Sequence, residues 1–354
     1  MVTRLYIQRR TSLRGVSALI GLLIGFQLTA YCDPIRIVVA GDGRAEYPWR
    51  RCQRDEDVNG INVKITTEIA QAVLDEKAQI MLWTGDIANV NEQDPNKTEA
   101  LENKLTAWRD IMQRLYDNDV VVLTVRGNHE VEWHQEKDWT PIKIPDATKV
   151  WKEVFKGRYS LPDNGPPSEK NLSFYYEIGP VLCIGFDEYE GPGNRQHSVN
   201  QQWLDDVLKR EKKLFIFTFS HEPAFMAGNH KREETLAAVP KKRDRMWESL
   251  YKTGARAYFC GHDHFYDHMQ VQSETTPKGI HQFLAGTAGA PFYDGGCYSE
   301  DPGWNLTRIK HQDHLWGYIL VVVDENQATI TFKGRSLPGK YEQLDSWSYT
   351  PGTP

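Results

Sequence analysis

Cysteine is scarce in this chain of 354 residues, which contains only five. Five scattered cysteines are too few for the disulfide framework that small secreted domains use in place of a large core. We expect Cys183 and Cys260, which lie inside apolar runs, to be buried thiols. Cys52 and Cys297 lie in loops and could pair in an oxidising compartment, so their pairing stays open.

The chain also lacks a strong excess of one charge, an internal repeat and a low-complexity tract. It has 42 Lys and Arg against 48 Asp and Glu, a formal net charge of -6. This composition excludes a disordered chain, and its acidic balance disfavours binding to long nucleic acids, which need a basic groove. With 40% hydrophobic residues and no evident linker, we expect one domain around a substantial core.

The apolar run near the N-terminus is too short for a permanent membrane anchor, because a spanning helix needs about 20 residues. It covers 15 residues, 16–30, and follows four arginines. We therefore predict an export signal over residues 1–32, in which Arg9-Arg10 partly resembles a twin-arginine signal. The protein is then periplasmic or secreted. Residues 33–354 carry a net charge of -10, since the leader holds four Arg and no acid.

Six short apolar runs each end close to a residue that can bind metal or phosphate. Their length and β-favouring composition are typical of buried strands, and open α/β sheets bind ligands at the carboxyl ends of their strands. The runs are 35–39 before Asp42, 80–84 before Asp86, 120–125 before Asn128, 181–186 before Asp187, 214–219 before His221, and 257–260 before His262 and His264. We expect these polar side chains to converge in one crevice.

The spacing of apolar residues between the runs indicates an α/β fold. Intervals of three and four over 61–73 and 101–115 predict two amphipathic helices. Their β-α-β-α-β order implies right-handed parallel crossovers, whereas later runs at 172–186 and 316–332 predict antiparallel hairpins. The sheet system is therefore mixed, in a domain over 33–336 that is followed by a C-terminal tail over 337–354.

The residues that end the runs offer carboxylate and amide oxygens together with imidazole nitrogens. This mixed set suits Mn, Fe or Zn better than Ca or Mg alone. Six or more candidate ligands exceed one tetrahedral site and indicate two adjacent metal ions. Two such ions would suit the hydrolysis of phosphate esters, because they can clamp both the attacking and the leaving oxygen.

Five short motifs follow one another over about 220 residues. They are Gly41-Asp42, Gly85-Asp86, Gly127-Asn128-His129-Glu130, His221 and Gly261-His262-Asp263-His264. This ordered series resembles the calcineurin-like metallophosphoesterase superfamily, which includes purple acid phosphatases. The resemblance covers roughly residues 33–335 and implies a two-sheet mixed β-sandwich flanked by helices, with two metal ions at the strand ends.

The resemblance also implies roles for the matching residues. The implied ligands are Asp86 to both metals, Asn128, His221 and His262 to one of them, and Asp42 and His264 to the other. His129 would protonate the leaving group or fix the phosphate, and Glu130 would orient groups around the site. The implied activity is hydrolysis of a small phosphoric mono- or diester by a metal-activated hydroxide.

Arg44 departs from the superfamily pattern, which usually has Asp-x-His where this chain has Asp-Gly-Arg. A guanidinium offers only donors, so Arg44 cannot be a metal ligand. Purple acid phosphatases also lack this His but have a Tyr three residues after the bridging Asp, where this chain has Asn89. We expect a loosely held metal there, and expect Arg44 either to grip substrate phosphate or to pair with Glu46 or Asp55.

Two other functions stay open. The missing His would also fit a degenerate phosphoesterase that binds metal, phosphate or a partner without turnover. A nuclease or cyclic-nucleotide diesterase is a further alternative, although the acidic charge argues against long nucleic acids. The sequence does not indicate the oligomeric state.

Four other polar residues have less specific predictions. Asn62 stands at a helix start, where capping explains an Asn at least as well as substrate contact does. We expect His230 at the rim of the crevice and Asp187 beside it. His197 could line the pocket, but we favour a surface loop for it.

Overall fold

The computed structural model of the protein describes residues 33–45, 57–58, 60–190, 196–228, 230–295 and 300–351. The predicted export signal, both partners of the predicted Cys52–Cys297 pair, and Glu46 and Asp55 lie outside these ranges. Those interpretations therefore stay predictions. None of the helices within the described ranges combines the length and the apolar character that crossing a bilayer requires.

The described residues form seventeen strands and five α-helices. The strands are β1 (Ile35–Ala40), β2 (Asp57–Val58), β3 (Ile61–Asn62), β4 (Ile80–Trp83), β5 (Val121–Thr124), β6 (Glu132–His134), β7 (Pro141–Lys143), β8 (Phe174–Ile178), β9 (Val181–Gly185), β10 (Phe215–Phe219), β11 (Ala257–Cys260), β12 (Tyr266–Gln272), β13 (Ile280–Ala285), β14 (Asn305–Gln312), β15 (Gly317–Val323), β16 (Ala328–Leu337) and β17 (Lys340–Tyr349). The helices are α1 (Val63–Asp75), α2 (Lys97–Tyr116), α3 (Ala147–Val154), α4 (Gln201–Arg210) and α5 (Pro240–Lys252).

Two mixed sheets contain most of the strands, as the sequence predicts. The first has the order β17-β16-β15-β1-β4-β5, and the second has the order β14-β12-β13-β11-β10-β9-β8. Strands β1, β4 and β5 are parallel and are connected by α1 and α2, which confirms that these connections join parallel strands. The predicted hairpins are the antiparallel pairs β8–β9 and β15–β16.

Alternation along the strands of the second sheet builds two apolar layers. In β9, Val181 and Cys183 belong to the core shared with the first sheet, whereas Leu182 and Ile184 belong to a core with α4 and α5. Strands buried on both faces need apolar residues at every position, which is why β9 is an uninterrupted apolar run. Helices α1, α2 and α3 contribute to the core of the first sheet.

The C-terminal segment is a strand, not the predicted tail. Strand β17 pairs with β16 and forms an edge of the first sheet, and its Trp347 and Tyr349 pack against the core. The prediction missed this strand because its outer positions are polar and because its alternation is broken at Leu344. Asp345 lies opposite Phe332 and Gln343 lies opposite Lys333, so Leu344 is an extra residue without a partner position on β16. The domain therefore continues past residue 336, through Tyr349.

Candidate metal centre

The loops after the carboxyl ends of five strands bring all six predicted metal ligands together. Asp42, Asp86 and Asn128 follow β1, β4 and β5 of the first sheet, and His221, His262 and His264 follow β10 and β11 of the second. Contacts across the sheets include His221 Nε2 to Asn128 Oδ1 at 3.1 Å and His264 Nε2 to Asp42 Oδ1 at 3.7 Å. The crevice between the two sheets is therefore where their side chains meet.

The ligand loops approach one another so closely that glycine is required beside the carboxylates. A Cβ atom on Gly127 would lie 2.1 Å from Asp86 Oδ1, and one on Gly261 would lie 2.1 Å from Asp42 Oδ2. Asp42, Asp86 and His262 have φ angles of 61°, 51° and 77°. Such left-handed conformations are uncommon outside glycine and concentrate at functional sites.

One group of ligand atoms, which we call cluster 1, consists of Asp86, Asn128, His221 and His262. His221 Nδ1 lies 2.8 Å from the Thr84 carbonyl oxygen, and because a carbonyl only accepts, Nδ1 carries the proton and Nε2 presents a lone pair. That Nε2 lies 3.0 Å from His262 Nδ1, 3.1 Å from Asn128 Oδ1 and 3.4 Å from Asp86 Oδ1. The lone pair of His221 Nε2 thus faces two further acceptors, Asn128 Oδ1 and Asp86 Oδ1. A bound cation would stabilise this arrangement.

A second group, cluster 2, consists of Asp42, Asp86 and His264, whose buried ligand atoms all lie within 4.8 Å of one another. His264 Nδ1 donates to the Pro291 carbonyl oxygen at 2.7 Å, which leaves a lone pair on Nε2. The Arg44 side chain contacts the same group. Its Nη2 lies 3.3 Å from His264 Nε2, and its Nε lies 3.5 Å from Asp86 Oδ2.

His129 lies in a single 3-10 turn, Asn128–Glu130, after β5. Its backbone N–H donates to Asp86 Oδ1 at 3.2 Å, and its ring Nε2 lies 3.8 Å from Asp86 Oδ2. The side chain lines the cavity in front of the clusters. His129 is therefore placed where it could contact a bound substrate.

Glu130, from the same turn, is fully buried and does not line the cavity. Its Oε1 accepts hydrogen bonds from the backbone N–H groups of Ile87 and Ala88, at 2.9 and 3.3 Å. Its Oε2 accepts from those of Asp86 and Gly127, at 3.0 and 2.7 Å. One carboxylate thus holds the two ligand loops together, and Glu130 is a positioning residue.

Burial keeps the imidazoles of the centre neutral. It is the largest influence on each of them and lowers the pKa of His129, His221, His262 and His264. The Arg44 guanidinium lowers the pKa of His129 and His264 further. Burial and the Asp86 carboxylate raise the pKa of Asp42, while Arg44 opposes that shift. Metal ions bind neutral imidazoles, so this environment favours coordination.

Both clusters open onto a cavity of about 420 Å³. His230 lines it, in agreement with the rim position expected from the sequence. Its ring stacks on His262 with a centroid distance of 3.7 Å, and its Nδ1 lies 2.6 Å from Asp263 Oδ1. Tyr293, which sequence reasoning missed, stacks in the same way on His264 at 3.9 Å, and its hydroxyl accepts from Arg44 Nη2 at 3.3 Å. These rings restrain the imidazoles that they cover.

The outer wall of the cavity contains residues that lie outside the five sequence motifs at the strand ends. His197 lines it, with Nδ1 2.8 Å from Glu222 Oε1, so the expected surface loop is wrong for this residue. Burial raises the pKa of Glu222. His134 and Trp139 also line the cavity, and their rings stack at 5.5 Å.

Three other polar residues lie away from the cavity wall. Asn62 caps α1, which is one of the two roles left open for it, since its Oδ1 accepts from the Ile65 N–H at 3.2 Å. Asp187 forms a fully buried ion pair with Arg126 Nε at 2.7 Å, which is structural. Asn89 is buried.

Comparison with known proteins identifies relatives among acid phosphatases. Purple acid phosphatase 23 of Arabidopsis thaliana is 21% identical over 259 residues, which are 67% of this chain and 52% of that protein. Tartrate-resistant acid phosphatase type 5 of Oryctolagus cuniculus is 22% identical over 226 residues, which are 60% and 63% of the two chains. This chain therefore matches between half and two thirds of the length of these relatives.

The fold is shared with a solved purple acid phosphatase, PPD1 from yellow lupin (Lupinus luteus) seeds. The two structures superpose with a TM-score of 0.61 at 14% identity, over 90% of this chain and 54% of the lupin chain. The sequence of this protein matches the calcineurin-like phosphoesterase family over residues 36–266. Because that match covers more than half of the chain, the protein belongs to the calcineurin-like phosphoesterase family.

Proposed function

We propose that this protein is a metal-dependent hydrolase of small phosphoric esters. The observation that carries the proposal is cluster 1, in which the lone pair of His221 Nε2 faces Asn128 Oδ1 and Asp86 Oδ1. Acceptors buried against one another are unfavourable unless a donor or a cation lies between them, and a single metal ion would satisfy all of them at once. Membership of the family and the acid phosphatase relatives support the same class of reaction.

Cluster 1 fits a metal ion in the chemistry of its donors as well as in their convergence. Two imidazoles, an amide oxygen and a carboxylate form the mixed nitrogen and oxygen set that suits Mn, Fe or Zn. A metal ion bound there would polarise the phosphoryl group and lower the pKa of the attacking water. The residues that would hold it are Asp86, Asn128, His221 and His262.

Two side chains of the cavity wall would act on the substrate itself. Arg44 presents a permanently charged group with several N–H donors, which suits the oxygens of a phosphoryl group as negative charge develops on them. His129 is held neutral by burial and by Arg44, so its ring N–H can donate a hydrogen bond to a phosphoryl oxygen. To protonate the leaving group, the ring would first have to take up a proton and become an imidazolium.

The cavity favours a small ester over a nucleic acid. Its volume of about 420 Å³ is in the range of small-molecule sites. Glu233 and Glu234, which are exposed, line it, and they would repel the successive phosphates of a polynucleotide. The net charge of -10 over residues 33–354 acts in the same direction.

Hydrolysis of p-nitrophenyl phosphate and bis-p-nitrophenyl phosphate by the purified protein tests this proposal. Asp86→Ala removes an oxygen from both clusters, and we expect it to lower kcat/KM by more than about 100-fold. The matched control is Asp110→Ala, since the Asp110 side chain on α2 is 66% exposed and should be dispensable. Undiminished activity in Asp86→Ala would refute the proposal. A wild-type protein that binds metal but hydrolyses neither ester would favour the degenerate alternative.

A further inference from the structure

The Arg44 guanidinium lies where the second metal ion of the resemblance would bind. We propose that it takes the place of that ion, so that the centre contains a single metal ion in cluster 1 and a fixed arginine cation in cluster 2. This inference rests on the proposed function and changes its predicted dinuclear centre into a mononuclear one.

The direction of the hydrogen bond at His264 is the first step. Its Nδ1 is committed as a donor to the Pro291 carbonyl, so Nε2 has a lone pair and no proton. Arg44 Nη2, 3.3 Å away, can only donate. Arg44 therefore uses the lone pair with which His264 would bind a metal ion in cluster 2.

The charges of cluster 2 lead to the same conclusion. Asp42 and Asp86 are buried carboxylates, with at most 1% of their surface exposed, and buried charges need an opposite charge nearby. Arg44 supplies it, with Nε 3.5 Å from Asp86 Oδ2. A metal ion among the same atoms would be repelled by a guanidinium that contacts two of its three ligands. The metal ion and Arg44 are thus mutually exclusive occupants.

The surroundings hold Arg44 in this position. Its backbone forms a bridge with Ile61, and the neighbouring Ala45 N–H donates to the Gly60 carbonyl at 2.9 Å. The side chain is only 3% exposed, and Tyr293 accepts from its Nη2. Since Arg44 also lines the cavity, the cation that replaces the metal ion remains accessible to a phosphate oxygen.

The number of bound metal ions tests the inference. The full-length protein loaded with Mn²⁺ is examined by native mass spectrometry and by electron paramagnetic resonance. We expect a single ion in the wild type, with the spectrum of isolated Mn²⁺. Arg44→His removes the guanidinium and adds an imidazole, and it should admit a second ion whose spin couples to the first. Arg158→Ala, at a side chain 51% exposed on the surface, is the matched control and should keep the wild-type count.

Two ions in the wild type, or a single ion in Arg44→His, would overturn the inference. Should Arg44→His fail to fold, Asp42→Asn decides. Asp42 belongs only to cluster 2, so the variant keeps its single ion if Arg44 replaces the other ion, whereas in a dinuclear centre the count falls. A wild type without metal would contradict the proposed function itself, and two ions with esterase activity would contradict only this inference.

Discussion

Single side chains with several simultaneous contacts determine the geometry of the centre. Glu130 accepts from four backbone N–H groups on two loops that belong to different strand ends. It never reaches the cavity, but it sets the distance between the loop of Asp86 and the loop of Asn128. Its effect on the reaction must therefore pass through the ligands that it positions.

Glu130→Gln should weaken metal binding without unfolding the protein. The variant places an amide NH₂ against two of the four backbone N–H donors, so the loops should separate and the ligands should lose their alignment. Such changes behind metal ligands typically cost about 10- to 100-fold in metal affinity or activity. The Mn²⁺ dissociation constant, measured by calorimetry, should rise by that factor. Glu102→Gln, at an exposed position on α2, is the control. An unchanged dissociation constant in Glu130→Gln would show that the four hydrogen bonds are dispensable.

Residue types and motif order allowed the sequence to predict that the six candidate ligands, His129 and Glu130 lie together at the strand ends, because each follows a recognisable strand. The position of the Arg44 guanidinium could not be predicted in this way. It depends on the backbone bridge between Arg44 and Ile61 and on the hydroxyl of Tyr293, and neither Ile61 nor Tyr293 lies near Arg44 in the sequence. Tyr293 itself lies in a loop without apolar periodicity. Side chains brought in by loops depend on tertiary packing, which local patterns do not encode.

At the scale of elements, strand β17 connects the two sheets through a buried polar network. Asp345 Oδ2 accepts from the Tyr266 hydroxyl and from His268 Nδ1, each at 2.7 Å, and both donors belong to β12 of the second sheet. His268 Nε2 in turn lies 2.7 Å from His281 Nδ1 of β13. Burial and the neighbouring His268 lower the pKa of His281 to about 3, so that imidazole is neutral.

Asp345→Ala should destabilise the protein, and the effect should depend on pH. The change leaves two buried donors, Tyr266 Oη and His268 Nδ1, without their acceptor, at a cost of about 1–3 kcal/mol each. Burial raises the pKa of Asp345, but hydrogen bonds from His268 and Tyr266 outweigh it, and the net pKa is lowered. A lowered pKa stabilises the folded state above the unfolded value of about 3.9, and this stabilisation is lost as the pH falls through the folded value.

Urea unfolding at pH 7 and at about pH 3.5 measures that dependence. The difference in free energy of unfolding between wild type and Asp345→Ala should be largest at pH 7 and should shrink at the acidic pH. Glu342→Ala, at an exposed position on the same strand, serves as the control and should change little at either pH. An equal destabilisation by Asp345→Ala at both values would mean that the charge of Asp345 does not contribute.

The regular elements were the more predictable part of the fold. Six apolar runs became β1, β4, β5, β9, β10 and β11 with no end shifted by more than one residue, because strands buried on both faces leave a clear apolar pattern. Strand β17 is half exposed and contains a bulge, so neither a continuous run nor a clean alternation identified it. Edge strands that obtain their apolar contacts from a few aromatic residues are therefore easily mistaken for tails.

At the scale of the whole molecule, the centre exists only when both sheets are in place. The first sheet supplies two carboxylates and an amide, and the second supplies three imidazoles. Each sheet also positions ligands of the other, as when His221 donates to the Thr84 carbonyl after β4. Metal binding should therefore stabilise the packing of the two sheets as well as the reaction that we propose.

Removal and return of the metal ion test the central claim most directly. Dialysis of the purified protein against a chelator should abolish hydrolysis of p-nitrophenyl phosphate, and titration with Mn²⁺, Fe²⁺ or Zn²⁺ should restore it in proportion to the metal bound. His221→Ala should recover neither metal nor activity, whereas His314→Ala, at a side chain 56% exposed, should recover both. Our account predicts this parallel loss and return of metal and activity; full activity in the metal-free protein, or full recovery by His221→Ala, would contradict it.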